Sequence, residues 1–225
     1  MLQAALSLRL GGGGGGAGHE QAVELVEHAL REYPAVGGAR LAPAASAMYM
    51  TILNGLNRGG KGAAFDMLAE YLLKSGQLDT RTFGALVSAW LDAIGRRPGA
   101  TCTDVQRTWD TLQSHAASMT PAYELNRNHY HSAIEAYVRL GDVAAAWNVI
   151  RTAMRDAGLA PDLDTFYTLA SPLASNTALW AVGKSTVANF NTHYPDVVNA
   201  ALADKTNTLV VKALLHQAIA KPERT

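Results

Sequence analysis

The 225 residues include one cysteine, Cys102, so no disulfide can form within the chain and packing must hold the fold together. Surplus charge is missing too: 19 Lys and Arg stand against 19 Asp and Glu, for a net charge of zero and a pI near 7.1. Affinity for nucleic acid rests on neutralising phosphates, so a strong autonomous nucleic-acid binder is not expected. Long apolar runs are lacking as well. The stretch from Leu209 to Ala220 is broken by Lys212 and His216, and it falls short of the roughly 20 residues that cross a bilayer. Membrane insertion is not expected.

Readable catalytic chemistry is equally scarce. The Gly11 to Gly16 run is followed by Ala17-Gly18-His19-Glu20, where a phosphate loop needs Lys-Ser/Thr. Gly183-Lys184-Ser185-Thr186 matches the end of such a loop, but Ala178 stands where its first glycine belongs and no strand pattern precedes it. His19-Glu20 lacks the second histidine of a zincin helix, because Val23 occupies that place. His129 and His131, two apart on a predicted helix, point about 200° from each other and cannot share a metal. Cys102 has no histidine partner implied by spacing, so an inert thiol is the default. His115 reads as a polar residue near a helix end. No nucleophile and base are paired, and the expectation is a protein without catalytic residues, metal or cofactor.

What the chain does have is a repeat. Ala22 to Leu30, Ala64 to Leu72, Thr108 to Ala116 and Ala146 to Met154 superimpose: each opens on a small residue, follows with a bulky one (Val23, Phe65, Trp109, Trp147) and places an apolar residue three further on (Val26, Leu68, Leu112, Ile150). That is the spacing of one helix face. Between these windows lie aromatic-led segments: Tyr49 with Ile52, Leu53 and Leu56; Phe83 with Leu86, Val87 and Trp90; Tyr130 with Ile134 and Val138; Phe166 with Leu169 and Leu173. The aromatics recur at 34, 47 and 36 residues. The long interval carries the insertion Gly95 to Ala100, which delays the next helix until a Thr103-x-x-Gln106 capping box. An Ala-rich hydrophobic fraction of 48% with 17% charge favours helices over strands.

The best copy runs from a helix at Tyr130 to Leu140, through a Gly141-Asp142 turn and a helix at Val143 to Ala157, to Gly158-Leu159-Ala160-Pro161-Asp162 and a new start at Thr165-Phe166. With Tyr130, Gly141, Ala146, Met154, Gly158, Pro161 and Asp162 in those places, the segment resembles the unit of the pentatricopeptide repeat (PPR) family. The resemblance implies an all-α, right-handed α-solenoid of PPR-type helical hairpins. The expected organisation is a single solenoid. Residues 1–46 form a degenerate opening repeat, in which Met1 to Leu10 reads as a first helix, with the stub of an organellar targeting peptide as the alternative, and Gly11 to Gly16 as an expanded turn. Residues 47–175 are PPR-like repeats. Residues 176–225 are a C-terminal helical cap: a second helix from Asn176 to Phe190, a short helix from Pro195, and an amphipathic helix from Thr206 to Ala220 marked by Leu209, Val210, Ala213, Leu214 and Ala218.

Members of this family bind single-stranded RNA, pairing the residue after the first-helix aromatic with the residue that ends the repeat. Carried over by resemblance, the pairs are Met50 with Asp79, Gly84 with Asn126 and His131 with Asp162, with Tyr167 opening a partial fourth. Neither Met50 nor Gly84 can offer the side-chain hydrogen bond that the family's base-reading residues use. Little sequence readout is therefore expected, and Arg58, Arg127 and Arg139 on the same concave face are expected to touch RNA backbone or protein. The family's usual work implies a structural, RNA-associated subunit of a mitochondrial ribonucleoprotein, with the ribosome as first candidate. A free organellar RNA factor and a purely protein-binding adaptor are the alternatives, and a plastid is the alternative compartment.

Overall fold

The computed structural model describes His28 and residues 43–76, 78–206 and 208–219. The expected opening helix at Met1 to Leu10, the Gly11 to Gly16 turn, the rest of the window around His28, and Ala220 lie outside the described residues. Among the described residues there are ten α-helices and no strand. They are α1 (Pro43–Arg58), α2 (Gly62–Ser75), α3 (Thr80–Arg96), α4 (Cys102–Ser118), α5 (Arg127–Arg139), α6 (Val143–Asn148), α7 (Leu163–Ser175), α8 (Trp180–His193), α9 (Pro195–Ala203) and α10 (Leu209–Ile219). The turn of α6 widens to a π-helix over Val149–Met154 without a break in the rod, so the expected helix from Val143 is one element of two pitches. The fold is an all-α helical repeat. The chain divides into two compact units, Met1–Ala100 with Gln106–Leu125, and Thr101–Val105 with Asn126–Thr225.

The repeat is written first in the helix ends. Gly60 and Gly141 hold φ of 66° and 85°, where a Cβ would be strained. Lys61 N–H then reaches back to the Leu56 carbonyl, and Asp142 N–H to that of Tyr137. Both close a Schellman turn. Gly158 ends the π-segment's rod in the same manner, with Leu159 N–H on Met154 O at 2.8 Å. Short polar side chains start the helices: Asp79 accepts from Thr82 N–H, Asn126 from Asn128 N–H, Asp142 from Ala145 N–H and Asp162 from Thr165 N–H. At α4 the expected box is displaced. Thr101 and Asp104 satisfy each other two residues earlier, while Gln106 bonds Asp110 instead. The shorter aspartate reaches the Thr101 N–H at the true start of the helix.

Within the first unit, α1 packs on α2 and on α3, and α2 on α3. Tyr49, Leu53, Leu56, Phe65, Leu68, Phe83, Leu86 and Val87 are completely sealed. In the second unit α5 packs on α6 and α7, and α7 on α8, α9 and α10. Its core is Ile134, Ile150, Phe166, Leu169, Leu173, Val187 and Phe190. All four first-helix aromatics and the three described second-helix bulky residues thus stand where the repeat put them. One is looser: Trp109 is buried but Trp147 only half so, resting on Phe190, His193 and Tyr194 with its indole N–H sealed and unpaired.

The amphipathic face expected on the last helix is rotated. Leu209 is 85% and Val210 47% exposed, while Val211, Leu214 and Leu215 are buried against α7 and α8. The i, i+3, i+4 set that packs begins at Val211, two residues after Leu209.

Candidate partner-binding face

The first-helix residues singled out by the repeat fall into two groups, those whose side chains are already engaged within the chain and those that are not. Asp162 belongs to the first. Its Oδ1 accepts from the Thr165 N–H at 2.9 Å and from the Thr165 hydroxyl at 2.8 Å, completing a capping box, while its other oxygen takes the Arg127 guanidinium. Arg127 also donates to the Ala160 carbonyl at 3.1 Å. Burial works to raise the Asp162 carboxyl, but the Thr165 hydrogen bonds and the Arg127 and His131 charges outweigh it and hold the group below its ordinary range. His131 sits against the same Thr165, Nε2 to Oγ1 2.9 Å. Since the Thr165 hydroxyl donates to Asp162, its oxygen accepts from Nε2–H. Burial keeps His131 below the usual imidazole range and Arg127 adds to this, against the pull of Asp162 and Asp164. The expected reading pair is one network that ties α5 to α7.

His129, two residues earlier, is turned away as the spacing required. Its Nδ1 accepts the Asn126 N–H and it is buried. Tyr167 donates to Asp204, the residue after α9, at 2.7 Å. Burial first, then that hydrogen bond and charge, push its phenol up to about 12. Arg139 pairs with Glu135 one turn before it.

In the first unit Asp79 spends its carboxylate on the Thr82 N–H at 2.6 Å. Asn126, which ends the following repeat, caps α5. Gly84 is half-buried in α3, and Met50 is half-buried in α1. Arg58, the last residue of α1, is exposed and makes no ion pair with any described residue. Of the three arginines expected to meet RNA or protein, it alone is uncommitted.

The decoys resolve physically. Gly183-Lys184-Ser185-Thr186 lies inside α8, where its backbone N–H groups turn into the helix rather than toward an anion, and a Cβ on Gly183 would press Leu173 at 3.2 Å. The Cys102 thiol is pushed up by burial and by the charge and hydrogen bond of Asp142, the opposite of activation. His115 stacks 5.2 Å from Phe83, and burial lowers its pKa. Among the described residues no group of His, Cys, Asp and Glu could hold a metal, and no helix is long and apolar enough to cross a membrane.

Sequence reading missed the function of Arg97. By sequence it falls in the Gly95 to Ala100 insertion, yet it reaches back to Asp66 of α2 with both terminal nitrogens, at 2.7 and 2.8 Å, and donates to the Gly62 carbonyl at 3.3 Å. The Trp90 indole N–H meets the same carboxylate at 2.9 Å. Glycine at 62 is the available signal: a Cβ there would stand 2.4 Å from Arg97 Nε.

The side-chain bonds between successive hairpins carry the period themselves. Asn57 bonds Asp92 and Arg127 bonds Asp162 across 35 residues, His131 bonds Thr165 across 34, and Tyr167 to Asp204 and Trp180 to Gln217 each span 37. The last two spacings extend the repeat into the helices beyond Ala174, where its wording fades. No curated protein and no solved structure matches the chain. A family model described as pentatricopeptide repeat-containing protein matches residues 107–222, just over half of the sequence and including those closing helices. The chain therefore belongs to the pentatricopeptide repeat family, whose helical hairpins its helix ends, core and inter-repeat bonds reproduce.

Proposed function

We propose that this chain is a non-catalytic subunit of a mitochondrial ribonucleoprotein, with the ribosome as first candidate, and that it touches RNA backbone and neighbouring proteins rather than reading bases. Family membership supports an RNA-associated organellar role. One observation carries the finer reading: the repeat-ending side chains Asp79, Asn126 and Asp162 are each engaged in capping the next helix, and Asp162 in an ion pair as well. Their first-helix counterparts are Met50 and Gly84, which lack a suitable group, and His131, already bonded to Thr165. A surface of this kind distinguishes bases poorly. Zero net charge adds that whatever RNA it meets is held with help from others.

The test is density-gradient sedimentation of a tagged copy from mitochondria, with and without ribonuclease. Co-migration with a large particle that survives mild ribonuclease treatment supports the subunit. Migration as a small, ribonuclease-sensitive complex supports a free RNA factor, and a small ribonuclease-resistant complex supports a protein adaptor. Either of those results overturns the subunit reading.

A further inference from the structure

In the second unit Tyr167 gives its hydroxyl to Asp204 and Trp180 its indole N–H to Gln217. Another set of rings there keeps its polar ends to itself. Trp147 of α6 meets His193, which ends α8, and Tyr194, which follows it, edge-to-face at 5.7 and 6.3 Å, with the sealed Phe190 packed against Trp147 and Tyr194. The Tyr194 hydroxyl has no partner among the described residues. The Trp147 indole N–H is sealed and unpaired, so ring packing rather than a hydrogen bond fixes the indole. His193 donates Nδ1–H to the Asn189 carbonyl at 2.9 Å, which leaves its Nε2 open. His193 is exposed, and Trp147 and Tyr194 are half-buried.

Two further features meet at this cluster. The rod of α6 widens to π-helix over Val149–Met154, a local irregularity that often marks a functional site. Inside that stretch, four residues after Trp147, stands Arg151, exposed and without an ion pair to any described residue. Of the acids nearest along the chain, Asp156 is held by Arg155, and Asp196 lies in the first turn of α9, whose N–H dipoles offset its charge. Partly open rings beside a free cation are the elements with which proteins hold single-stranded nucleic acid without reading base edges.

We propose that this cluster is a stacking site for a nucleotide of single-stranded RNA, with a base on the His193 ring, Trp147 and Tyr194 holding that ring in place, and Arg151 on the adjoining phosphate. The proposal rests on the RNA contact in the function proposed above and places it on second helices, away from the first-helix reading positions. Every base has a face to stack, so the contact is tolerant of sequence.

The experiment measures binding of fluorescein-labelled oligoadenosine to the full chain by anisotropy across a salt series, for the wild type, His193→Ala, His193→Phe, Arg151→Gln and the control Lys74→Gln. Circular dichroism melts confirm that all five fold. Loss of one stacked base should weaken binding about fivefold or more in His193→Ala, and His193→Phe, which keeps a ring, should restore it. Arg151→Gln should lower the salt slope by about 0.7, so that between about 50 and 200 mM salt it loses about threefold less affinity than the wild type. Lys74→Gln, which removes an exposed cation of the first unit, should keep the wild-type slope. An abasic oligomer should bind the wild type no more tightly than oligoadenosine binds His193→Ala. If His193→Ala and Arg151→Gln both keep wild-type affinity and slope, the cluster is not the RNA site, although the RNA reading stands. If His193→Phe is as weak as His193→Ala, the ring nitrogen makes the contact and stacking is refuted. Variants that keep their RNA affinity but lose incorporation into the particle would show a protein covering the cluster, which overturns the RNA assignment. If the wild type binds no RNA even at low salt, both readings fall.

Discussion

Replacing Asp162 with alanine separates a reading residue from a structural one, because the two roles predict different losses. The substitution removes the N-cap of α7, worth about 1 kcal/mol. It removes the ion pair with Arg127, and since those side chains are 39% and 34% exposed, screening leaves only about 0.5 kcal/mol. It also takes the acceptor from the hydroxyl of Thr165, a fully buried residue, at about 1 kcal/mol. The three terms predict a destabilisation of about 2–3 kcal/mol, read as a lowered urea midpoint. Asp162→Asn keeps an acceptor for the cap but gives up the charge, and should cost about 1 kcal/mol. A double-mutant cycle with Arg127→Gln should return a coupling near 0.5 kcal/mol. The structural role is refuted if Asp162→Ala unfolds within about 0.3 kcal/mol of wild type while changing preference among RNA homopolymers.

Three further outcomes follow from the same geometry. Trp109→Ala should cost about 3–5 kcal/mol and the half-buried Trp147→Ala less, about 2–3 kcal/mol, in thermal melts; the reverse order would contradict the burial seen at the two sites. Asp66→Ala strands the buried Trp90 indole N–H and unbalances Arg97, for a loss of about 2–3 kcal/mol that Trp90→Phe in the same background should partly relieve. Tyr167 keeps its proton in the folded chain up to about pH 12, while an unfolded tyrosine releases it near pH 10. Its contribution is therefore complete below about pH 10 and is lost as the pH rises to about 12, an alkaline limb that Tyr167→Phe should flatten in melts across that range.

Much of the fold was legible because it is local. Helix faces repeat at fixed spacing, so Tyr49, Phe83, Tyr130 and Phe166 could be set over one another before any contact was known, and all are buried. Glycines at 60, 141 and 158 and the polar cap residues mark ends by chemistry that needs no tertiary information. The misplacements came where neighbours decide. Both Thr101-x-x-Asp104 and Thr103-x-x-Gln106 fit a box, and only the backbone trajectory out of the insertion selects the first. On α10 either of two adjacent apolar stripes could pack, and the helices it meets, α7 and α8, select Val211, Leu214 and Leu215.

The partner face was less legible for a reason that runs through the whole repeat. A residue that ends one hairpin is also the cap of the next, so the same Asp or Asn can serve a ligand or a helix end, and the sequence alone shows identical letters for both. What distinguishes the uses is whether the acceptor is already filled. At Asp162 it is filled three times over, by a backbone N–H, a hydroxyl and a guanidinium. Arg127 looks like a phosphate contact when read singly, and becomes the partner of Asp162 only when the residue 35 positions later is seen beside it. Arg58 and Lys61 have no such neighbour among the described residues, whereas Arg96 is held by Asp92 one turn before it. Charge available to a ligand in this family member is therefore a matter of what the neighbouring repeat leaves unsatisfied. At the turn between α1 and α2 that remainder is Arg58 and Lys61, neither ion-paired with any described residue.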